Sequence, residues 1–149
     1  MSNRKDIWPQ CATIIHSHVE LKEKMQAICN LLGSQMPVYD WVGFYLSDVK
    51  NKKLHLGPFY GEPTEHTSIS YGKGVCGQAA EAQKTFVIDD VTQEENYIAC
   101  SIHVKSEIVV PIIKNEILVG QIDIDSHILA AFKQDDQQLL EKICRELVI

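Results

Sequence analysis

The amino-acid sequence predicts an α+β domain in which helices pack on a mainly antiparallel sheet. Residues with the helical spacing of apolar side chains lie near both ends of the chain. Between them are two pairs of β-rich runs, each pair joined by a short polar turn, which is the pattern of β-hairpins. Adjacent hairpins build antiparallel sheets rather than parallel ones. With 149 residues, the chain is expected to form one domain over residues 1–149.

The terminal helices are predicted from the spacing of apolar residues. Between Cys11 and Leu32 these residues recur mostly at every third or fourth position, with a break around residues 16–20. This predicts one or two helices, which Gly33 is expected to end. A second amphipathic pattern predicts a helix at residues 134–148. Within these apolar stripes, two cysteines are expected to pack in the core: Cys29 and Cys144.

The two hairpins differ in how clearly the sequence marks them. In the first, "DWVGFYLSD" and "LHLGPFYG" flank the polar turn "VKNKK". In the second and clearer one, "EIVVPII" and "ILVGQIDID" flank "KNE". Pro111 lies in this second pair, and since proline has no N–H to donate, we expect it at an edge, a bulge or a strand end.

A glycine-rich hexapeptide, "GKGVCG", follows the short strand candidate "TSISY" at residues 72–77. It matches the G-x-G-x-x-G fingerprint of dinucleotide-binding turns. However, the preceding strand lacks a continuous apolar run, the following helix is short, and a hairpin comes next instead of a second βαβ unit. We therefore interpret the glycines as serving a tight turn with positive φ and close backbone approach. Cys76 then begins a short helix near Lys73, which makes it a candidate reactive thiol.

Composition excludes several classes of function. The net charge of −6 and the lack of a Lys/Arg run argue against a nucleic-acid partner. No apolar stretch approaches the ~18 residues of a membrane span, and the N-terminus does not resemble a signal peptide, so a cytoplasmic protein is expected. The five cysteines are odd in number and irregularly spaced, which argues against a disulfide framework, and the absence of a C-x-x-C pair argues against a structural zinc site.

Six segments of the chain, read together, are more specific than any one of them: "DWVGFYL", "LGPFYGEP", "GKGVCGQAA", "YIACS", "SEIVVPI" and "GQIDIDS". In this order they resemble the free methionine-(R)-sulfoxide reductases, a family of stand-alone GAF domains. The resemblance runs from about Trp41 to Ser126 and implies a six-stranded antiparallel sheet with helices on both faces. It also implies a single GAF domain, a homodimer, and reduction of the R-sulfoxide of free methionine rather than of methionine in proteins.

The same resemblance implies a set of site residues: two redox cysteines, Cys100 and Cys76, and four substrate-binding side chains, Trp41, Glu107, Asp123 and Asp125. In the implied chemistry, a Cys100 thiolate attacks the sulfoxide sulfur while an acid protonates the departing oxygen. Cys76 then condenses with the Cys100 sulfenic acid to form a disulfide, which thioredoxin reduces. No bound cofactor is implied. The opposite assignment, with Cys76 as the nucleophile and Cys100 as the resolving thiol, is also compatible with the resemblance.

The chain departs from the family pattern at two positions. His66 occupies the place of a third family cysteine, and Ser101 stands where the family has aspartate. Either Cys76 resolves alone, or the protein is a catalytically silent GAF module that binds a small ligand for sensing. Without the resemblance, the alternation along the strand predicts that Asp123 and Asp125 lie on its solvated face, and residue type predicts that Trp41 is a core aromatic.

Overall fold

The computed structural model describes residues 4–94 and 102–148, with side chains described from residue 7 onward. Within these residues it contains the following elements, in chain order: α1 (Arg4–Ile15), α2 (Leu21–Gln35), β1 (Trp41–Asp48), β2 (Lys53–Tyr60), β3 (Ser68–Ser70), α3 (Gly74–Ala82), β4 (Phe86–Ile88), a 3-10 turn (Val91–Gln93), β5 (Ser106–Lys114), β6 (Ile117–Ser126) and α4 (Gln134–Glu146). The predicted α+β class is confirmed. No helix in the described part of the chain is long and apolar enough to cross a membrane.

The strands form one six-stranded antiparallel sheet in the order β3-β2-β1-β6-β5-β4. Both predicted hairpins are present as β1–β2 and β5–β6, and they join through the pairing of β1 with β6 at the centre of the sheet. Pro111 lies beyond Val109, the last residue of β5 that is paired with β4. It therefore occupies a section of β5 with one strand neighbour, as the absence of its N–H predicts.

Helices cover both faces of the sheet. Because side chains alternate along a strand, the two faces of the sheet contribute to two different apolar cores. Val42, Phe44 and Ile122 lie in the larger core with α1, α2 and α4. Tyr45 and Val109 lie in the smaller core with α3. The two-faced arrangement that the family resemblance implied is confirmed.

The N-terminal helices differ from the prediction in two respects. The first helix begins at Arg4, before the predicted start, although the break after Ile15 is where the sequence indicated it. The prediction that Gly33 ends the second helix is wrong, since α2 continues to Gln35. A Cβ at Gly33 would lie 2.0 Å from Cδ1 of Tyr60. This glycine therefore serves the close packing of α2 on β2, and not helix termination.

The helix α4 and the core cysteines follow the prediction. In α4, Leu140, Ile143 and Cys144 are buried against the sheet. Cys29 lies on the buried face of α2, as expected from its position in the apolar stripe. The N-terminus of α4 is anchored by Asp136, whose carboxylate accepts hydrogen bonds from the backbone N–H of Lys133 (2.7 Å) and from the Tyr39 hydroxyl.

Replacement of Gly33 by alanine is expected to destabilise the protein by about 1–2 kcal/mol, even though alanine is the better helix former. The added methyl group overlaps the ring of Tyr60, which must leave its packed position. Urea denaturation of the variant measures the loss. In a Tyr60→Ala background the same substitution should be neutral or stabilising. An equal loss in both backgrounds would show that the Tyr60 contact is not the cause.

Candidate functional site

Strand pairing brings the predicted acidic residues together at one place on the sheet. Glu107 of β5 lies directly opposite Asp125 of β6, which in turn lies opposite Trp41 of β1. Asp123, two residues before Asp125, lies on the same face and opposite Gly43. The three carboxylates are almost completely buried, with exposures of 5% for Glu107, 1% for Asp123 and 1% for Asp125. We call these three residues the carboxylate cluster.

The helix α3 covers this cluster and adds a thiol to it. Cys76 is 6% exposed, and its Sγ–H donates to Oε2 of Glu107 over 3.8 Å. Its Sγ also lies within 4.8 Å of a carboxylate oxygen of Asp123. The solvated face that strand periodicity alone predicts for Asp123 is therefore wrong. A period of two shows that the faces of a strand differ, but it does not show that a helix covers the polar one.

The glycine hexapeptide sets the position of this helix. Gly72 and Gly74 have φ values of +86° and +62°, which glycine adopts without strain. A Cβ at Gly77 would lie 2.5 Å from the carbonyl oxygen of Ser70. The expected tight turn with close backbone approach is confirmed, and it holds Cys76 in the first turn of α3 against the carboxylate cluster.

Two residues near the site were not predicted from the sequence. Gln121 is fully buried, and its Nε2 donates to the carbonyl oxygen of Cys76 at 2.8 Å. Tyr45 lies opposite Gln121, and its hydroxyl donates to the carbonyl oxygen of His66 at 3.0 Å. Gln121 precedes Asp123 by two residues on the same strand, so the alternation that groups the aspartates also identifies Gln121 as a neighbour.

Burial controls the protonation of the carboxylate cluster. It raises the pKa of Asp125 well above the usual range, and the nearby Asp123 carboxylate raises it further. Burial also raises the pKa of Asp123, against hydrogen bonds with Glu107 and Cys76 that lower it. Among the described residues, Asp123 Oδ1 and both carboxylate oxygens of Asp125 have no hydrogen-bond partner while the carboxylates are ionised. A proton held on Asp125 allows it to donate to Glu107, so the cluster favours either a proton or a cation.

A cavity of about 350 Å³ opens beside Asp125, within the size range of small-molecule sites. Trp41 forms one wall, held by stacking on Phe59 at 5.7 Å between ring centroids and by donation from its Nε1 to the Glu62 carbonyl oxygen at 2.9 Å. The cavity is lined by Asp40, Trp41, Glu62, His103, Val104, Asp125 and His127. It therefore presents an aromatic face and a buried carboxylate to a ligand.

A second cavity lies on the thiol side of the cluster and is much smaller. Its volume of about 10 Å³ corresponds to about one water molecule. Cys76, Glu107 and Asp123 contribute to its walls, together with His66. His66, which the resemblance aligns with a third cysteine, therefore lines the same cavity as Cys76.

The predicted Cys100 lies outside the described residues, as does Ser101, so the Cys76–Cys100 disulfide stays a prediction. Three of the described cysteines are free thiols in the larger core: Cys11, Cys29 and Cys144. Burial in the larger core raises the pKa of Cys11 to about 11 and that of Cys29 to about 12. Burial also raises the pKa of Cys144. Of the described thiols, Cys76 is the one that contacts the carboxylate cluster.

Comparison with known proteins agrees with this architecture. Residues 20–149 match the GAF domain, so the chain is a GAF-domain protein. It is 37% identical over 130 residues to the free methionine-R-sulfoxide reductase of Saccharomyces cerevisiae, covering 79% of this chain and 72% of the relative. The chain therefore belongs to the free methionine-R-sulfoxide reductase family, and the resemblance seen in the sequence is confirmed.

Solved structures of the family are also similar to this chain. The free methionine-R-sulfoxide reductase of Neisseria meningitidis, in complex with its substrate, aligns with a TM-score of 0.92 and 32% identity, over 99% of this chain and 89% of that chain. The reduced form of the Staphylococcus aureus fRMsr aligns with a TM-score of 0.90 and 37% identity, over 99% of this chain and 94% of that chain. The fold of the whole described chain is therefore that of the family.

The substitution Asp125→Asn is expected to raise the melting temperature at pH 7. Because burial raises the folded-state pKa of this aspartate, the folded protein holds a proton that the unfolded chain releases above about pH 4. Stability is then lost as the pH rises from that value. Asparagine has no proton to release in either state, so the variant avoids this loss, and the gain is about 2–4 °C for each kcal/mol recovered.

Scanning calorimetry from pH 4 to pH 8, in buffer with a metal chelator, measures this effect. The difference between Asp125→Asn and wild type should shrink toward pH 4, because the unfolded wild type then also begins to hold the proton on Asp125. The exposed carboxylate Glu65 provides the control, since Glu65→Gln should leave the melting temperature nearly unchanged. A lower melting temperature for Asp125→Asn at pH 7 would contradict the loss of stability expected from the raised pKa of Asp125.

Gly77→Ala is expected to destabilise the protein by about 1–3 kcal/mol despite the gain in helix propensity. The added methyl group meets backbone atoms of Ser70 and Gly72, which have no side-chain freedom to relieve the contact. The neighbouring Gln78→Ala, as a control, should change stability by no more than about 0.5 kcal/mol. Urea denaturation of both variants provides the comparison, and similar losses would show that the contact with Ser70 does not determine the position of α3.

Proposed function

We propose that this protein reduces free methionine-(R)-sulfoxide to methionine, using Cys100 and Cys76. The observation that carries the proposal is the contact of a thiol with a buried carboxylate cluster at the edge of an aromatic-walled cavity. The chain's membership of the reductase family supports the same conclusion. As a single GAF domain, the protein contains both the pocket and its covering helix.

The cluster is suited to a free amino acid because its carboxylates provide buried acceptor oxygens for the α-ammonium group. An α-ammonium group has three N–H donors, and the oxygens of Asp123 and Asp125 without partners are matching acceptors. A methionine within a polypeptide has no such ammonium group, which gives a physical reason for selecting the free amino acid. The face of Trp41 provides apolar contact for the S-methyl group.

The reaction transfers one oxygen atom and two electrons. The Cys100 thiolate attacks the sulfoxide sulfur and forms an S–S bond. The protonated oxygen then moves to the Cys100 sulfur while the bonds from the methionine sulfur to that oxygen and to Cys100 break, which leaves a Cys100 sulfenic acid and releases methionine. A carboxyl group of the cluster, protonated because burial raises the pKa of Asp125, supplies the proton to the oxygen. Attack by the Cys76 thiolate on the sulfenic sulfur then forms the disulfide and releases water.

Two thiols supply both electrons, so the reaction needs no bound cofactor. An external dithiol, for which we propose thioredoxin, must reduce the Cys76–Cys100 disulfide after each turnover. We also propose a homodimer and a cytoplasmic location. The free thiols of Cys11, Cys29 and Cys144 are typical of a reducing compartment.

A second candidate function is ligand binding without turnover. His66 lines the small cavity beside Cys76, in the place of the third family cysteine. If Cys76 fails to resolve the sulfenic acid, the same pocket serves as a ligand-sensing GAF module. Turnover separates the two functions.

Thioredoxin-coupled oxidation of NADPH, with free methionine-(R)-sulfoxide as substrate, tests the proposal. The wild type should turn over, and Cys100→Ser should reduce kcat to background because no nucleophile remains. Cys76→Ser should release one equivalent of methionine and stop as the sulfenic acid, which a dimedone label detects by mass spectrometry. The buried Cys11 lies in the larger core, so Cys11→Ala serves as a control that keeps turnover.

A substrate analogue tests whether the ammonium group is recognised. N-acetyl-methionine-(R)-sulfoxide lacks the ammonium group and should not be reduced. Trp41→Ala should raise KM more than it lowers kcat, because it removes the apolar wall and no reacting group. A wild-type protein that binds methionine-(R)-sulfoxide but releases no methionine, even with excess dithiothreitol, would support the sensing function instead.

A further inference from the structure

The thiol and two carboxylates of the site have the spacing of a metal centre. One ligand atom from each of Cys76, Glu107 and Asp123 lies within 4.8 Å of the other two, and the distance from Cys76 Sγ to Glu107 Oε2 is 3.8 Å. Atoms so spaced share a point within about 2.8 Å of all three, while Zn–S and Zn–O bonds measure about 2.3 and 2.0–2.2 Å. Side-chain shifts of less than about 1 Å would therefore bring the three atoms to bonding distance.

The side chain of Asp125 provides an independent indication that a cation belongs here. It is 1% exposed and lies opposite Glu107 on the face that α3 covers. Among the described residues, no donor hydrogen-bonds to either of its oxygens or to Oδ1 of Asp123, and its nearest polar neighbours are the carboxylates of Glu107 and Asp123. Neighbouring carboxylates cannot donate to one another when ionised, so only a proton or a cation satisfies these oxygens.

We propose that Cys76, Glu107 and Asp123 form a binding site for a thiophilic divalent cation such as Zn²⁺. The three side chains supply a thiolate and two carboxylate oxygens, and a water held by Asp125 completes a tetrahedral site. The cavity of about 10 Å³ that these three residues line is the space for the ion. On binding, the Cys76 thiol loses its proton to the solvent, because the thiolate is the ligand.

The chemistry of the ligands selects the ion. A thiolate favours Zn²⁺ or Cd²⁺, whereas Mg²⁺ and Ca²⁺ prefer sites made of oxygen alone. The sequence predicted no metal site because positions 76, 107 and 123 form no local motif. The ligands come from α3, β5 and β6, and only the pairing of these strands beneath the helix brings them together.

Occupancy by such an ion regulates the site, an inference that rests on the proposed function. The ion takes the carboxylates that receive the substrate ammonium group, and it takes the thiol that resolves the sulfenic acid. A dication is attracted to this anionic cluster more strongly than a monovalent ammonium. Zn²⁺ is therefore expected to inhibit turnover in competition with methionine-(R)-sulfoxide.

Direct binding of Cd²⁺ to the reduced, chelator-treated protein provides the first test. One equivalent should produce a saturable thiolate-to-metal charge-transfer absorption, and Zn²⁺ should displace it. Cys76→Ser should abolish the band. Asp123→Asn should raise the Kd for Cd²⁺ roughly 10-fold or more, because the loss of a residue that only supports a metal ligand already weakens binding by about that factor. Cys11→Ala, which removes a thiol in the larger core, should bind as the wild type does.

Two results of the binding test would overturn the site. One is an unchanged band in Cys76→Ser with a native circular dichroism spectrum. The other is loss of the band in Cys100→Ser, which would assign the ion to a thiol that the proposal does not use. If Cys76→Ser does not fold, an unchanged Kd in folded Asp123→Asn overturns the site equally.

Competition separates this inference from the proposed function. Methionine-(R)-sulfoxide should raise the apparent Kd for Cd²⁺, and Zn²⁺ should raise the apparent KM of a protein that turns over. Metal binding without turnover would contradict the reductase function and leave the metal site standing. Turnover without one-equivalent metal binding would do the reverse, and metal binding that the sulfoxide does not weaken would overturn the regulatory role.

Discussion

The register of β6 between β1 and β5 is the constraint on which the rest of the structure depends. Ile122 and Ile124 pack into the larger core, so Asp123 and Asp125 must face α3. A slip of one residue would exchange the two sets and place aspartates among the apolar side chains of α1, α2 and α4. The cost of burying unpaired charge in that core makes the observed register strongly preferred.

That register stabilises one face of the sheet at the expense of the other. The larger core gains from apolar burial, while the smaller core must accommodate three carboxylates and a thiol. Burial raises the pKa values of Asp123 and Asp125, which shows that their charged forms are disfavoured where they lie. Local unfavourable burial of this kind is typical of functional sites, where a ligand supplies the missing interaction.

The glycine hexapeptide shows why a short motif needs its structural context. Its sequence satisfies a dinucleotide fingerprint, yet the surrounding sheet is antiparallel. Here Gly72 and Gly74 adopt positive φ angles, and Gly77 has no side chain to collide with Ser70. These features allow α3 to begin close to β3. The turn places a thiol against the carboxylate cluster. Gln121 of β6 donates a hydrogen bond to the backbone carbonyl oxygen of Cys76.

The sequence by itself determined the two hairpins, the amphipathic α4 and the alternation along β6, because these depend on local periodicity. Resemblance to a family assigned roles to Glu107, Asp123 and Asp125, which composition alone would have left on a solvated face. The tertiary structure decided what local patterns do not encode, including the role of Gly33 under Tyr60 and the burial of the acidic row. The physical reason is that period two separates the faces of a strand, while only the packing of distant elements decides which face is covered.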